Sequence, residues 1–294
     1  MTRNKHYKAA IAAAFILSAA LTLQGCQKDD PGEVLPEEPE PVEPAEPVVR
    51  FDMDAIPTTL DGRAVLGSPG NRDIYLWGGE EDTLMFYREF YTGVKSMYSD
   101  VVFTFVDGTT GRVRLKASGI GTVPLVLTAD RPERNDTIRC HVRNFYGSSW
   151  ITAENEEICP GVSTTLDNTR YMNVLDGTAK AAIADSLAHG LFCDTRSRYR
   201  FFDGSMTRTI FLGGLDTKTE KYYYSWNEQT QKLKLVRGRE TLEYGCEVLY
   251  NHGPYLRIAL VRDETAVWDA AFPDALVTKV VSAQYLDRID LKEQ

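Results

Sequence analysis

The most constraining feature of the chain is a succession of seven strand-like segments between residues 198 and 289: RYRFF, TRTIFL, EKYYYSW, KLKLV, LEYGCEVLY, YLRIALV and TKVVSAQYLDRI. Side chains that alternate between apolar and polar with a period of two mark strands with one face buried and one in water. Asp203-Gly204, Gly213-Gly214, Asn227-Glu228 and His252-Gly253-Pro254 supply links between them, and links this short force neighbouring strands antiparallel. A sequential meander of seven or eight strands can close into a barrel, which removes its exposed edges. Eight strands can surround a ligand or be filled by their own side chains, and both readings stay open at this level.

Ahead of the meander, Thr178 is placed to cap a helix over residues 179–189, with Ile183 and Leu187 one turn apart and Gly190 ending it. Residues 148–173 (SSWITAENEEICPGVSTTLDNTRYMN) show no period and read as an ordered connection. Further upstream the alternation returns. Val113, Leu115 and Ala117 oppose Arg112, Arg114 and Lys116, and Ile138, Cys140 and Val142 oppose Arg139, His141 and Arg143. The run VVFTFV from Val101 to Val106 is apolar on both faces, as expected of a central strand. With turns at Asp107-Gly108 and Gly119-Ile120-Gly121, these short antiparallel strands predict a β-sandwich over residues 48–146. The helix and meander make a second unit over residues 150–294. The expected fold class is therefore mainly β: a sandwich, one helix and an antiparallel barrel.

The first fifty residues suit neither unit. Arg3, Lys5 and Lys8 precede a run over residues 9–23 that is apolar apart from Ser18 and Thr22. A cationic start followed by an apolar run of this length reads as a secretory signal peptide, residues 1–25, and is short for a bilayer-spanning helix. Residues 26–47 carry one lysine and eight acids, the main source of the chain's net charge of −9. Within them, residues 31–47 hold six prolines and six glutamates, a composition that favours a polyproline II stalk over any core. At about 3.1 Å per residue that stalk extends roughly 50 Å. The rest of the chain is only mildly acidic and has no basic stripe, which argues against nucleic acid as a partner.

Four stretches resemble known families. Leu23-Gln24-Gly25-Cys26 resembles the lipobox of bacterial lipoproteins, in which cleavage before the cysteine leaves a diacylglyceryl group on its thiol. The resemblance implies attachment to the outer membrane through lipid on Cys26, with several acyl chains because each buried methylene contributes only about 0.8 kcal/mol. Gln27-Lys28-Asp29-Asp30 is similar to the lysine-plus-acidic signal that sends Bacteroidota lipoproteins to the cell surface, which makes Lys28, Asp29 and Asp30 the expected export residues. Residues 70–143 resemble the immunoglobulin-like modules of bacterial envelope proteins, through IYLWGGEEDTLMF, DVVFTFVDGTTGRVRLKASGIGTVPLVLTAD and DTIRCHV. Residues 198–261 resemble lipocalin-like domains of Bacteroidota lipoproteins, through YRFFDGSM, KYYYSWNEQTQKLKL and EYGCEVLYNHGPYLRIAL. That family commonly opens with Gly-x-Trp, where this chain has Gly190-Leu191-Phe192.

No catalytic residue, cofactor motif or metal-ligand set stands out. Cys140, Cys159, Cys193 and Cys246 include no Cys-x-x-Cys spacing, which argues against a zinc ribbon or a thioredoxin-type site. Cys140 and Cys246 fall on apolar strand faces, whereas Cys159 and Cys193 lie beside turns and are the preferred pair if a disulfide forms in an oxidising envelope. His141, His189 and His252 stand in no metal or triad frame. Glu80-Glu81-Asp82 and Glu154, Glu156 and Glu157 lack calcium-loop spacing and read as solvated turn charge. Aromatic residues are the better candidates for ligand contact. Tyr222, Tyr224 and Trp226 share one strand face, a row that can stack on sugar rings, line a barrel or serve as core. Tyr255 and Trp268 are lesser candidates. The expectation is a non-catalytic surface binding protein for a glycan, a small apolar ligand or a protein partner, with a structural or adhesive envelope subunit as the alternative.

Overall fold

The computed structural model describes residues 58–61, 63–65, 70–86, 90–96, 101–107 and 111–289. The leader, Cys26, the export residues Lys28, Asp29 and Asp30, and the stalk lie outside the described residues.

Nine strands come first: β1 (Thr59–Leu60), β2 (Arg63–Ala64), β3 (Arg72–Trp77), β4 (Glu81–Met85), β5 (Gly93–Ser96), β6 (Val101–Asp107), β7 (Arg112–Ala117), β8 (Gly121–Thr128) and β9 (Asp136–Arg143). They form two sheets, ordered β2-β1-β4-β7-β6 and β3-β9-β8-β5. Alternation decides the inward faces: Val113, Leu115 and Ala117 of β7 are buried while the cations between them are exposed. Ile138, Cys140 and Val142 of β9 meet them in one shared core with Ile74, Leu76, Leu84, Leu125 and Leu127. This is a two-sheet β-sandwich, with two departures from expectation. First, β3 and β9 pair in parallel, Arg72 opposite Ile138, because no short link dictates the direction of strands so far apart in sequence. Second, β6 lies at the edge of its sheet among the described strands; apolar content does not specify hydrogen-bonded neighbours. Beneath this sandwich, Arg72 and Asp136 are an almost fully buried pair, 3.1 Å apart, with Thr58 Oγ1 accepting a second bond from the guanidinium.

The barrel follows: β10 (Ser149–Thr152), β11 (Glu157–Cys159), β12 (Val162–Ser163), β13 (Tyr171–Val174), α1 (Gly177–Leu187), β14 (Ser197–Phe201), β15 (Ser205–Gly213), β16 (Asp216–Asn227), β17 (Lys232–Arg237), β18 (Glu240–His252), β19 (Tyr255–Asp263), α2 (Thr265–Ala271) and β20 (Val277–Ile289). Strands β14 to β20 form the expected antiparallel meander. The closing eighth strand is β10, in which Trp150 pairs with Tyr199 of β14 on one side and Arg288 of β20 on the other. It comes from the stretch expected to be a mere connection. β13 instead pairs along the start of β20 and joins α1 in a satellite core of Val174, Ile183, Leu187, Val277 and Val280. Asp176, not Thr178, caps α1: its Oδ1 accepts from the Ala179 N–H at 2.7 Å, because the helix already begins at Gly177.

Side chains fill the lumen. Trp150, Phe192, Tyr199, Phe201, Met206, Leu233, Leu235, Tyr244, Ile258, Leu260 and Leu286 form one buried cluster. That cluster also holds a residue of the sandwich. At the end of β3 the alternation stops and both Leu76 and Trp77 are buried, Leu76 in the sandwich core and Trp77 in the barrel core. Trp77 makes edge-to-face contacts with Phe145 (5.3 Å), Trp226 (5.8 Å) and Trp150 (6.2 Å), the geometry aromatic quadrupoles favour. Its indole N–H donates to Gln231 Oε1 at 2.9 Å, and Gln231 Nε2 donates to the carbonyls of Gly78 and Glu228. Such closeness requires glycine: Gly79 has φ 89°, and a Cβ there would lie 2.1 Å from the Glu228 carbonyl oxygen. The described residues from Thr58 to Ile289 accordingly fall in one compact unit.

Candidate functional site

The joint leaves a groove at its rim. Asn144 and Tyr146 come from the segment after β9, Asp203 and Gly204 from the β14–β15 link, Tyr224, Trp226 and Asn227 from β16, and Glu228 and Gln229 from the β16–β17 link. Together they enclose an open space of about 660 Å³. Alternation along β16 brings Tyr224 and Trp226 to the same wall, and both are half-buried. Trp226 packs at 5.0 Å against Phe145, and Tyr224 sets its ring edge-on to Phe201 at 5.1 Å. Tyr146 is half-exposed across from them.

The polar part of the groove is held rigidly. Asn144 Nδ2 donates to the Gly119 carbonyl at 2.9 Å and to Glu228 Oε1 at 3.4 Å, while its Oδ1 accepts from the Tyr146 N–H at 2.7 Å. The Gly119 N–H donates to the same Glu228 carboxylate. Burial, with the nearby Asp203 carboxylate as a second cause, pushes the Tyr224 phenol up to about 12. It therefore stays protonated at neutral pH and can both donate and accept. The indole N–H of Trp226 is buried without a partner.

Of the five aromatic candidates, the structure brings only Tyr224 and Trp226 to the groove. Tyr222 is core, its hydroxyl accepting from Arg237 at 3.2 Å and lying 3.4 Å from Glu220. Tyr255 sits half-exposed beside the β18–β19 turn, opposite His252. Trp268 stacks on Phe272 within α2 and its flank and donates to Glu264 at 3.2 Å. The Cys159–Cys193 pairing is not formed: all four described cysteines are free. Cys159 Sγ faces the Tyr250 hydroxyl, and Cys193 Sγ faces the Leu187 carbonyl. Burial pushes Cys140 up to about 12 and Cys193 up to about 11, so these thiols are protonated and unreactive. Tyr146, Asn144, Asp203 and Glu228 were missed as site residues. Asp203 and Glu228 appeared in the sequence only as turn formers, and nothing in the linear chain relates either to Tyr146.

Two further clusters bear on chemistry. Glu80, expected to be a solvated turn acid, is half-buried against β18, where it accepts a bond from the Val248 N–H; burial, and then Asp61, raise it to about 7. Its neighbours Glu81 and Asp82 lie in β4, not in a turn. On the outer face of the four-stranded sheet, Thr122 Oγ1 is 3.0 Å from His141 Nδ1, and His141 Nε2 is 2.8 Å from Asp73. Arg139 holds the same Asp73 through two bonds of 2.7 Å. This row is a cross-strand polar ladder. Among the described residues, no three His, Cys, Asp or Glu side chains are grouped to hold a metal ion, and no helix is long and apolar enough to cross a membrane.

No protein-family model matches the chain, and no curated protein sequence matches it. Among solved structures, a multidomain protein including DUF1735 from Bacteroides ovatus is similar at 9% identity, over 81% of this chain and 98% of that chain, with a TM-score of 0.23.

Proposed function

We propose that this is a lipid-anchored surface protein of a Bacteroidota-type envelope that captures a glycan, without catalysis, in the groove between sandwich and barrel. The observation that carries the reading is the convergence of Tyr146, Tyr224 and Trp226 with Asn144, Asp203 and Glu228 from separate segments of the chain. A pyranose ring offers an apolar C–H face to aromatic rings and hydroxyls to carboxylates and amides, and a groove with both kinds of lining suits it. The filled lumen weighs against an apolar ligand inside the barrel. Carboxylates without a lining cation favour neutral sugars over sialylated or sulfated ones. Anchoring and display rest on the lipobox-like and export-like residues around Cys26.

The test is a glycan array followed by calorimetry on the best neutral oligosaccharide. Tyr146→Ala and Tyr224→Ala should each weaken binding by about tenfold, in line with roughly 1.4 kcal/mol per lost stacking contact. Tyr146 is exposed enough that its variant should melt like wild type. Failure to bind any array glycan, or unchanged affinity in both variants, would sink the reading.

A further inference from the structure

β15 and β16 outrun the barrel. They pair with each other from Ser205–Tyr223 out to Gly213–Asp216, but β14 follows β15 only as far as Ile210, and β17 follows β16 only from Tyr223 onward. Residues beyond those limits form a two-stranded arm. Its turn uses Gly213 and Gly214 at φ 115° and 60°. The side chains around that turn are apolar and uncovered: Leu215 is 100% exposed, Leu212 58% and Phe211 46%. Leaving three large apolar side chains in water at one tip is costly, and such patches mark contact sites.

Charge and shape indicate what the tip meets. Glu220, at the root of the arm, is enclosed by Lys218 (2.8 Å), Arg237 (3.4 Å) and Arg208 (3.5 Å). Arg196, Lys218, Lys221 and Arg239 are exposed around that root; Asp194 pairs with Arg196 and Arg208, Glu240 is exposed beside Arg239, and Asp216 is the acid of the turn itself, which leaves cations in excess. In a chain with net charge −9 the sign is locally reversed behind an apolar point. A convex two-residue turn offers far less than the roughly 800 Å² per partner of a stable protein interface. Insertion into the interfacial region of a bilayer needs no complementary shape, and cations behind an apolar wedge meet head-group phosphates.

We infer that the β15–β16 arm inserts Phe211, Leu212 and Leu215 into a bilayer carrying anionic head groups, as a second membrane contact beside the lipid expected on Cys26. One acyl-bearing residue with a weak second contact is the arrangement that gives firm yet orientable attachment. β16 starts at the arm and ends at the groove, and twelve strand residues span roughly 40 Å. A body resting on the tip holds its groove that far from the bilayer.

The tip contact depends on its own residues, so it is tested without lipid and without any glycan. Residues 27–294, which lack the leader and Cys26 and retain the whole compact unit, are floated with vesicles of phosphatidylcholine alone or mixed equally with phosphatidylglycerol. The protein should float with the mixed vesicles and about tenfold less with phosphatidylcholine alone. The double variant Leu212→Glu/Leu215→Glu, at exposed positions that leave the melting temperature unchanged, should lose about tenfold on the mixed vesicles. In Leu215→Trp, emission should shift to the blue on adding them. Wild type that stays soluble with both compositions, or a double variant that floats as well as wild type, overturns the inference. A concentration-dependent dimer abolished by the same double variant also overturns it, assigning the tip to a second copy.

Discussion

The sandwich core is mainly aliphatic, with Ile74, Leu76, Leu84, Val113, Leu115, Leu125 and Ile138 interlocked between two sheets beside the rings of Phe86 and Tyr91, whereas the barrel core is built on the rings of Trp77, Phe145, Trp150, Phe192, Tyr199, Phe201 and Tyr244. Two stacked sheets leave a gap of about 10 Å, which medium side chains from both faces fill. An eight-stranded lumen needs larger side chains to fill it. Three of its rings do not belong to the barrel wall: Trp77 ends a sandwich strand, Phe145 lies in the segment after β9, and Phe192 in the link between α1 and β14. The sandwich closes on itself, while the barrel borrows from outside. Dependence between the two regions therefore runs mainly one way.

Trp77→Ala should break that asymmetry most severely. Removing a fully buried ring costs about 3–5 kcal/mol, and hydrogen exchange should show β16–β18 losing protection well before β7–β9. Equal loss in both regions would show that the sandwich depends on the joint as much as the barrel does. Gly79→Ala attacks the same joint through the backbone. Its Cβ would meet the Glu228 carbonyl oxygen at 2.1 Å with φ at 89°, so a cost of about 2–4 kcal/mol is expected in the denaturant midpoint. Gly161→Ala, at φ 81° but with open space around its Cβ position, should cost only about 1 kcal/mol as a control for backbone strain alone.

A further small effect concerns charge. Glu80, with its carboxyl raised to about 7 by burial against β18, holds a proton in the folded protein that the unfolded chain has already released. Folding therefore binds protons between the ordinary glutamate value and about 7, and stability falls as pH rises through that window. Glu80→Gln should flatten this slope and add about 1–2 kcal/mol above pH 7, after allowing for solvent screening of a partly exposed group. A thermal-melt series across that pH range, unchanged by the substitution, would exclude Glu80 as a strained element of the joint.

Much of the architecture was legible because alternation is a local signal. The faces of β7, β9 and β14 follow from single residues such as Val113, Ile138 and Tyr199, and short links ordered the meander. The closing strand was not legible. Ser149–Thr152 is four residues long, and its partners in β14 and β20 lie far along the chain, so no local pattern distinguishes it from a loop. One trace of the joint was present in IYLW: two consecutive inward residues, Leu76 and Trp77, break the period because they face different cores. Likewise Tyr224 and Trp226 were visible as a stripe, but the residues that make them a groove, Tyr146 and Asp203, reach them only through the tertiary fold.

The position of Trp77 also has a consequence in time. A chain made from its amino terminus completes every described sandwich strand by Arg143, yet the rings that pack on Trp77 include Trp226 and its buried cluster includes Tyr244, Ile258 and Leu286. The barrel seam closes only when the strand ending at Ile289 arrives to pair with β10. Until then a finished sandwich carries an indole whose surrounding core is incomplete. Emergence of the last strand is thus the event that completes the core around Trp77, and the interval before it is when the chain is most exposed to aggregation and to chaperones.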